Sequence, residues 1–262
     1  MNFDIHIITP ILLAFISGVI PALIWLFFWT SEDSKNPEPK SMLALAFVGG
    51  MVAVFISLFL EKYFYDLGLS KIFSSGIFSK ILPWFETVSK QTSVQLDKVL
   101  LVAVFAPAIE EISKFVMAYI LVLRSKEDDE PLDPMIYMIT TALGFAAIEN
   151  MLFLIDPFYR NNFVMTIFTG NMRFIGATLL HTISSAIIAM FISFHFFDNK
   201  IKKVLFTIFG IACSIIVHGT FNFLMIGDKA TSIFALELIW ITVIILLLIF
   251  ERIKKNKLDK IN

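Results

Sequence analysis

The stretch 232–250 reads SIFALELIWITVIILLLIF and contains a single charged residue, Glu237. An α-helix needs about 20 predominantly apolar residues to cross the hydrocarbon core of a bilayer, and this stretch has that length and character. Glu237 lies near the beginning of the stretch, where a carboxylate can reach the interface. The sequence therefore predicts a transmembrane helix here, and the question becomes how many similar runs the chain contains.

The composition of the whole chain is that of a membrane protein. Of its 262 residues, 58% are hydrophobic and 16% are charged, and the mean hydropathy is +0.82. A soluble domain usually has about 25% charged residues, because its surface must face water. The net charge of −1 says little about nucleic acid, but no basic stripe suggests such a partner, and we expect none. The lipid bilayer is thus the expected environment, and the lone Cys213 offers neither a disulfide nor a cysteine metal site.

Seven apolar runs are long enough to span the membrane. None of them alternates with a period of two, so a β-barrel is not indicated. We predict an all-α fold, a polytopic transmembrane bundle of about seven spans that forms a single integral membrane domain over 1–262. The runs lie at roughly 6–29, 42–60, 99–123, 134–155, 174–197, 204–226 and 232–250.

The distribution of Lys and Arg predicts the orientation. Cytoplasmic loops of membrane proteins are enriched in these residues. With seven spans, the side that includes the C-terminal tail has twelve of them and the opposite side has eight, five of which lie in one long loop. We expect the N-terminus outside and the C-terminus in the cytoplasm of a multi-pass cell-membrane protein. The first run lacks a basic leader and a small-residue cleavage pattern, so we do not expect a cleaved signal peptide.

The long loop, 61–98, mixes short apolar clusters with Lys and Ser. This spacing is typical of an amphipathic helix lying at the membrane interface, here on the extracytoplasmic side, although a plain connecting loop is an equal alternative. The apolar clusters consist of Leu67, Leu69, Ile72 and Phe73, followed by Ile77, Phe78, Ile81, Leu82, Trp84 and Phe85.

Polar and ionisable residues inside four consecutive spans are the candidates for function. Such residues are costly in hydrocarbon and usually face the interior of the bundle or a water-filled cavity. They are Glu110, Glu111 and Lys114 in the third span, Glu149 and Asn150 in the fourth, His181 in the fifth, and His218 and Asn222 in the sixth. Counted at 1.5 Å per residue from the extracytoplasmic ends of the spans, the four clusters lie roughly 9 to 17 Å deep. We expect them to meet in one cavity.

Two carboxylates and two imidazoles in one cavity suit the activation of water. A glutamate can accept a proton from water, a histidine exchanges protons near neutral pH, and an asparagine amide can donate to a developing oxyanion. Alternatively, Glu149, His181 and His218 form a plausible Zn²⁺ set with a fourth position open for water. The sequence leaves both mechanisms open.

The same residues resemble four ordered motifs of the PrsW-type intramembrane proteases, a family distantly related to the CAAX-processing and bacteriocin-processing membrane endopeptidases. The resemblance covers residues 99–226, which would form a catalytic four-helix core. It implies hydrolysis of peptide bonds in single-pass membrane substrates, and in particular site-1 cleavage of an anti-sigma factor. The motifs are Glu110-Glu111-x-x-Lys114, Phe145-x-x-x-Glu149-Asn150, His181, and His218-x-x-Phe221-Asn222.

The resemblance also suggests individual roles. We expect Glu110 or Glu111 to be the base that activates water, with Glu110 favoured by analogy to the CAAX group, and Lys114 to balance charge. Glu149 would orient water or bind metal, and the two histidines would handle protons or metal. Asn150 and Asn222 would donate hydrogen bonds. Because the clusters lie in the outer half of the bilayer, cleavage should occur near the extracytoplasmic side.

Two other classes of function compete with a protease. A proton- or cation-coupled transporter also places Glu and His in a midplane cavity, but transporters show repeat symmetry that this sequence lacks. A non-catalytic scaffold has no reason to keep two glutamates and two histidines at one depth. Arg173 lies near the outer end of the fifth span, where it either snorkels to the interface or anchors the site.

Overall fold

A computed structural model describes residues 5–31, 37–74 and 79–261, with side-chain placement up to 253. These residues form helices and turns and no strand, which confirms the all-α prediction. Two π-helical turns occur: Leu101–Phe105 joins α5 to α6, and Arg173–Ala177 joins α8 to α9. The helices are α1 Ile5–Ser31, α2 Lys40–Asp66, α3 Leu69–Phe73, α4 Leu82–Thr92, α5 Leu96–Leu100, α6 Ala106–Leu121, α7 Asp133–Tyr159, α8 Phe163–Met172, α9 Thr178–Phe194, α10 Lys200–Ile226 and α11 Lys229–Ile261.

Six helical stretches within these residues are long and apolar enough to cross a membrane. They correspond to all the predicted spans except the third, which differs from the others in having three charged residues, Glu110, Glu111 and Lys114, within its apolar stretch. That span is nevertheless helical from 96 to 121 and packs inside the bundle. The chain is a multi-pass membrane protein, consistent with about seven spans.

Helix α7 is the centre of the bundle. Within its most apolar 18-residue window, 72% of the residues are buried, compared with 17% for α1. Contacts with α1, α2 and α9 surround it. A helix with apolar or small residues on every face is suited to the centre of a bundle, because none of its faces has to meet water. Helix α7 therefore fixes the positions of the helices around it.

Two glycines allow α2 and α7 to approach closely. A Cβ atom on Gly50 would lie 1.9 Å from the carbonyl oxygen of Thr141, and one on Gly144 would lie 1.9 Å from that of Phe47. Lipid tails are as apolar as the helices, so close backbone packing is a main source of helix association in membranes. The two glycines thus hold α2 against the central helix.

The helix of the second span extends beyond the predicted apolar run. Helix α2 continues past Leu60 to Asp66 and takes in Glu61, the first residue of the predicted loop. Charged residues lower the hydropathy of residues 61–66, but they do not interrupt the helical hydrogen bonding there. Lys62 and Asp66 even form an exposed ion pair one turn apart, at 2.9 Å.

The long loop folds into α3, α4 and α5 around its own apolar cluster. Leu69, Phe73, Phe85, Val99 and Leu100 are buried together. The ring of Trp84 stacks on Phe223 of α10 at 4.8 Å. Ile77 and Phe78 lie outside the described residues. Placement of this segment at the membrane interface stays a prediction.

We expect Gly144→Ala to destabilise the protein, because the new methyl group would overlap a backbone carbonyl that cannot move alone. Overpacking of this kind costs about 1–3 kcal/mol. The measurement is the unfolding midpoint of the purified protein in detergent. Gly170→Ala is the matched control, since nothing lies within 4 Å of a Cβ atom there. A Gly144→Ala midpoint equal to that of the control would contradict the proposed close contact.

Candidate active site

The structure brings the predicted polar residues of four helices into one cluster. Glu110, Glu111 and Lys114 come from α6, and Glu149 and Asn150 from α7. The remaining three come from the other two helices, His181 from α9, and His218 and Asn222 from α10. All of these side chains except Asn222 are linked by the contacts described below, Asn150 through Arg173, and Asn222 lines the same cavity.

The two histidines have equivalent surroundings. Nδ1 of His218 lies 2.7 Å from Oε1 of Glu111, and Nε2 of His181 lies 2.7 Å from Oε2 of Glu149. The remaining nitrogens face Oε2 of Glu110, at 3.7 Å for His218 and 3.8 Å for His181. A carboxylate behind an imidazole fixes the orientation and tautomer of the ring, an arrangement common around metal-binding histidines. Each ring thus presents one nitrogen to Glu110.

Glu110 lies at the centre of this arrangement. Its side chain is nearly buried, and its Oε2 atom has no hydrogen-bond partner among the described residues. Leaving a buried carboxylate oxygen without a partner is costly. One ligand atom each from Glu110, His181 and His218 lie within 4.8 Å of one another. One carboxylate and two imidazoles are a donor set typical of catalytic zinc, so these residues fit a divalent metal ion.

Glu111, by contrast, is fully occupied by protein contacts. It accepts a hydrogen bond from Lys114 at 2.5 Å and from the hydroxyl groups of Ser184 at 2.8 Å and Ser185 at 3.3 Å. With His218 it has four partners, and the side chain is completely buried. It does not line the cavity described below. Its position suits holding His218 rather than meeting water.

Lys114 links the α6 glutamate to the α9 histidine. Its Nζ atom donates to Glu111 and lies 3.1 Å from Nδ1 of His181. Since an ammonium group can only donate, Nδ1 of His181 accepts and its Nε2 carries the proton that points to Glu149. The ammonium also lies 5.0 Å from the centre of the Phe145 ring. This fully buried lysine therefore forms an ion pair with Glu111.

Arg173 belongs to the site. The sequence alone allowed it either to snorkel to the membrane interface or to anchor the site. Its guanidinium donates to Glu149 at 2.5 Å and to Oδ1 of Asn150 at 2.6 Å, and lies 4.0 Å from the ring centre of Phe153. Asn150 in turn donates to Thr178 at 3.0 Å and is buried away from the cavity. Asn150 therefore holds Arg173, which in turn holds Glu149.

Asn222 lies at the wall of the cavity. Its amide donates to the carbonyl oxygen of Val102 at 3.2 Å. Val102 belongs to one π-helical turn and Arg173 to the other. A π turn breaks the regular pattern of backbone hydrogen bonds and occurs often at functional sites. Both turns lie next to the cluster and supply walls of the same cavity.

A cavity of about 490 Å³ opens onto the cluster. Its size is that of a small-molecule or peptide-side-chain pocket, and its walls are mostly apolar. Three carboxylates line it: Glu61, Glu110 and Glu149. Glu61 was missed because the sequence placed it in a loop. The spacing of Glu61 from Val54, Ser57 and Leu58 could have indicated that it lines the cavity. These four positions share one face of a helix that continues beyond residue 60.

The chain matches a known protein family and is similar to three named proteins along most of its length. Residues 38–250 match the model of a family described as PrsW family intramembrane metalloprotease. A protein named Protease PrsW from Clostridioides difficile (strain 630) is 25% identical over 247 residues, which cover 94% of this chain and 90% of that protein. Proteins of the same name from Geobacillus kaustophilus (strain HTA426) and Bacillus subtilis (strain 168) are 25% and 23% identical, covering 86% and 80% of this chain and 86% and 81% of the respective relatives. No solved structure matches.

We expect Arg173→Gln to lower stability, because it leaves the partly buried carboxylate of Glu149 without its cation. Breaking such a pair costs about 1–3 kcal/mol, between the values for exposed and for fully buried pairs, and the double variant Glu149→Gln/Arg173→Gln should recover part of this loss. Unfolding midpoints of the purified variants measure both effects. The control is Arg160→Gln, which removes the exposed ion pair with Asp156 and should change nothing measurable. Equal midpoints for Arg173→Gln and Arg160→Gln would contradict this role of the Arg173–Glu149 pair.

Proposed function

The chain belongs to the PrsW family of intramembrane metalloproteases, and we propose that it hydrolyses peptide bonds of membrane-anchored substrates at Glu110, His181 and His218. Membership in this family makes it a membrane protease, a hydrolase, and favours an enzyme over a transporter or a scaffold. One observation supports the proposed site above the others. The unpartnered Oε2 atom of Glu110 faces a nitrogen of each histidine inside a cavity.

These three residues would hold a divalent metal ion, for which Zn²⁺ is the best match to the donors. When bound, such an ion lowers the pKa of a coordinated water and polarises the scissile carbonyl group. Binding through Nδ1 of His181 would replace the hydrogen bond from Lys114. Glu149, a candidate ligand from the sequence, lies behind His181 and is better placed to orient that ring.

The residues of the chain itself then have separate tasks. Glu149 lines the cavity; Arg173 and His181 bind its Oε2 atom, and we assign its other oxygen, Oε1, as the proton acceptor. A water proton passes to Glu149 while the water oxygen bonds to the carbonyl carbon. The peptide C–N bond then breaks, and the proton passes from Glu149 to the leaving nitrogen. Asn222 is placed to donate a hydrogen bond to the oxyanion, with the amide proton that does not bind Val102.

Glu111 and Lys114 have positioning roles in this scheme. Glu111 fixes His218 through Nδ1, and Lys114 holds Glu111 while meeting His181. Asn150 and Arg173 do the same for Glu149. This differs from the expectation that Glu110 or Glu111 is the base, because Glu110 is now a ligand and Glu111 is away from the cavity.

We further propose that the substrate is a single-pass membrane protein that enters from the lipid. Residues that line the cavity, such as Leu58, Phe153 and Met225, are also exposed on the outside of the bundle. A substrate helix within the bilayer can therefore reach the cavity laterally. An anti-sigma factor and site-1 cleavage remain a proposal that rests on the sequence motifs.

We propose that the N-terminus lies outside and the C-terminus in the cytoplasm, because the positively charged residues favour that side. The site would then lie in the extracytoplasmic half of the bilayer. In a bacterial host, alkaline phosphatase fused after residue 262 should be inactive, and green fluorescent protein fused there should fluoresce. The same reporters fused in the 122–132 connection between α6 and α7 are the control and should behave alike. An active phosphatase at the C-terminus would contradict the orientation.

We expect purified protein to bind about one divalent metal ion per chain and to lose both metal and activity on chelation. Glu110→Gln, His181→Ala and His218→Ala should each reduce metal content and slow cleavage of a reconstituted single-pass reporter about 100-fold or more. Metal analysis and gel-based cleavage assays measure these effects. His195→Ala is the control, because that ring binds the carbonyl oxygen of Phe191 outside the cluster.

Two results would decide against this scheme. Full activity of Glu110→Gln/Glu111→Gln would rule out hydrolysis at this site. A metal-free protein that cleaves normally would overturn the metal ligand set and restore Glu110 as the base, between two histidines that exchange protons.

A further inference from the structure

Glu61 is the one carboxylate of the cavity to which the proposed reaction gives no task. It lies on α2, where Val54, Ser57, Leu58 and Glu61 form a single face that lines the cavity. The side chain is half-buried and forms no hydrogen bond or ion pair with any residue that the structure describes. Glu149 lines the same cavity.

The other charges of the cavity have partners. Glu149 is paired with Arg173 at 2.5 Å, and Glu110 faces the two histidines with which it would bind metal. The basic residue next to Glu61 in the chain is not available, because Lys62 forms an ion pair with Asp66 at 2.9 Å. A carboxylate beside apolar walls is stabilised by a nearby cation. Within the described cavity, Glu61 is thus a carboxylate without a basic partner.

The distance of Glu61 along α2 from the reacting groups indicates which residue of a bound peptide it would meet. Val54 packs with Phe145, and the Phe145 ring lies 5.1 Å from the ring of His181, so Val54 marks the level of the reacting groups. Glu61 is seven residues further along α2, which is about 10 Å at 1.5 Å per residue. An extended peptide advances about 3.3 Å per residue. Glu61 is therefore about three substrate residues away from the scissile bond.

We propose that Glu61 is a specificity-determining residue that selects substrates with Lys or Arg about three residues from the scissile bond, on the side of the α2 C-terminus. This inference rests on the proposed function. The substrate cation would supply the counter-ion that the cavity lacks, in an apolar setting where a charge-assisted hydrogen bond is strong. Substrates with Asp or Glu at that position would meet the like charge of Glu61.

The test uses the full-length protein in liposomes with a pool of single-pass reporter proteins. All reporters share one transmembrane segment, and the residues next to it on the α2 C-terminal side are randomised. Mass spectrometry identifies the cleaved sequences and bonds. Wild-type protein should enrich Lys and Arg about tenfold at two to four residues from the cleaved bond, a preference typical of one charged hydrogen bond. Glu61→Lys should shift this preference to Asp and Glu, and Glu61→Gln should remove it.

A matched control separates an effect of Glu61 itself from the effect of a change in the net charge of the protein. Glu86→Lys changes an exposed carboxylate on α4, which does not line the cavity, and should keep the wild-type preference. The inference is overturned if wild-type protein shows no basic preference, or if Glu61→Lys keeps it. Should Glu61→Lys not fold, the near-isosteric Glu61→Gln decides in the same way. If wild-type protein cleaves no reporter, the proposed function itself has failed, which is a distinct result.

Discussion

A charge buried in hydrocarbon must have a partner, and this constraint organises the whole bundle. Glu111 is completely buried, and its four partners come from α6, α9 and α10. Glu149 on α7 is bound by Arg173 and by His181 of α9. Four helices are therefore tied to one another by charges that have no alternative partner in lipid. The same contacts that hold the helices together also orient the groups proposed for catalysis.

Much of this could be predicted from the sequence, because hydrophobic runs and buried charges are strong signals. The all-α architecture and the convergence of Glu110, Glu149, His181 and His218 both follow from them. What could not be predicted depends on boundaries and on tertiary partners. Glu61 was misplaced because charges at a helix end resemble a loop, and the role of Arg173 depends on Asn150 and Glu149 of another helix.

The adjacent glutamates of α6 show how one helix separates two roles. Positions 110 and 111 differ by about 100° around the helix axis. Glu110 therefore faces the cavity, with one oxygen left for a ligand, whereas Glu111 points into Ser184, Ser185 and Lys114. From the sequence only the analogy to the CAAX group favoured Glu110 over Glu111 as the base. Their difference lies in what the neighbouring helices place against each of them.

The two π-helical turns have a consequence for how such chains change over evolutionary time. A π turn accommodates one more residue than an α-helical turn, so each of these turns holds in effect a tolerated insertion. Deletion of one residue within Leu101–Phe105 would restore a continuous α-helix but rotate the upstream segment by about 100° relative to Glu110. At this turn, gain or loss of one residue therefore rotates the helical segment that forms one wall of the cavity. Single-residue gaps in alignments of distant relatives should therefore be sought at these two turns, ahead of the motifs rather than within them.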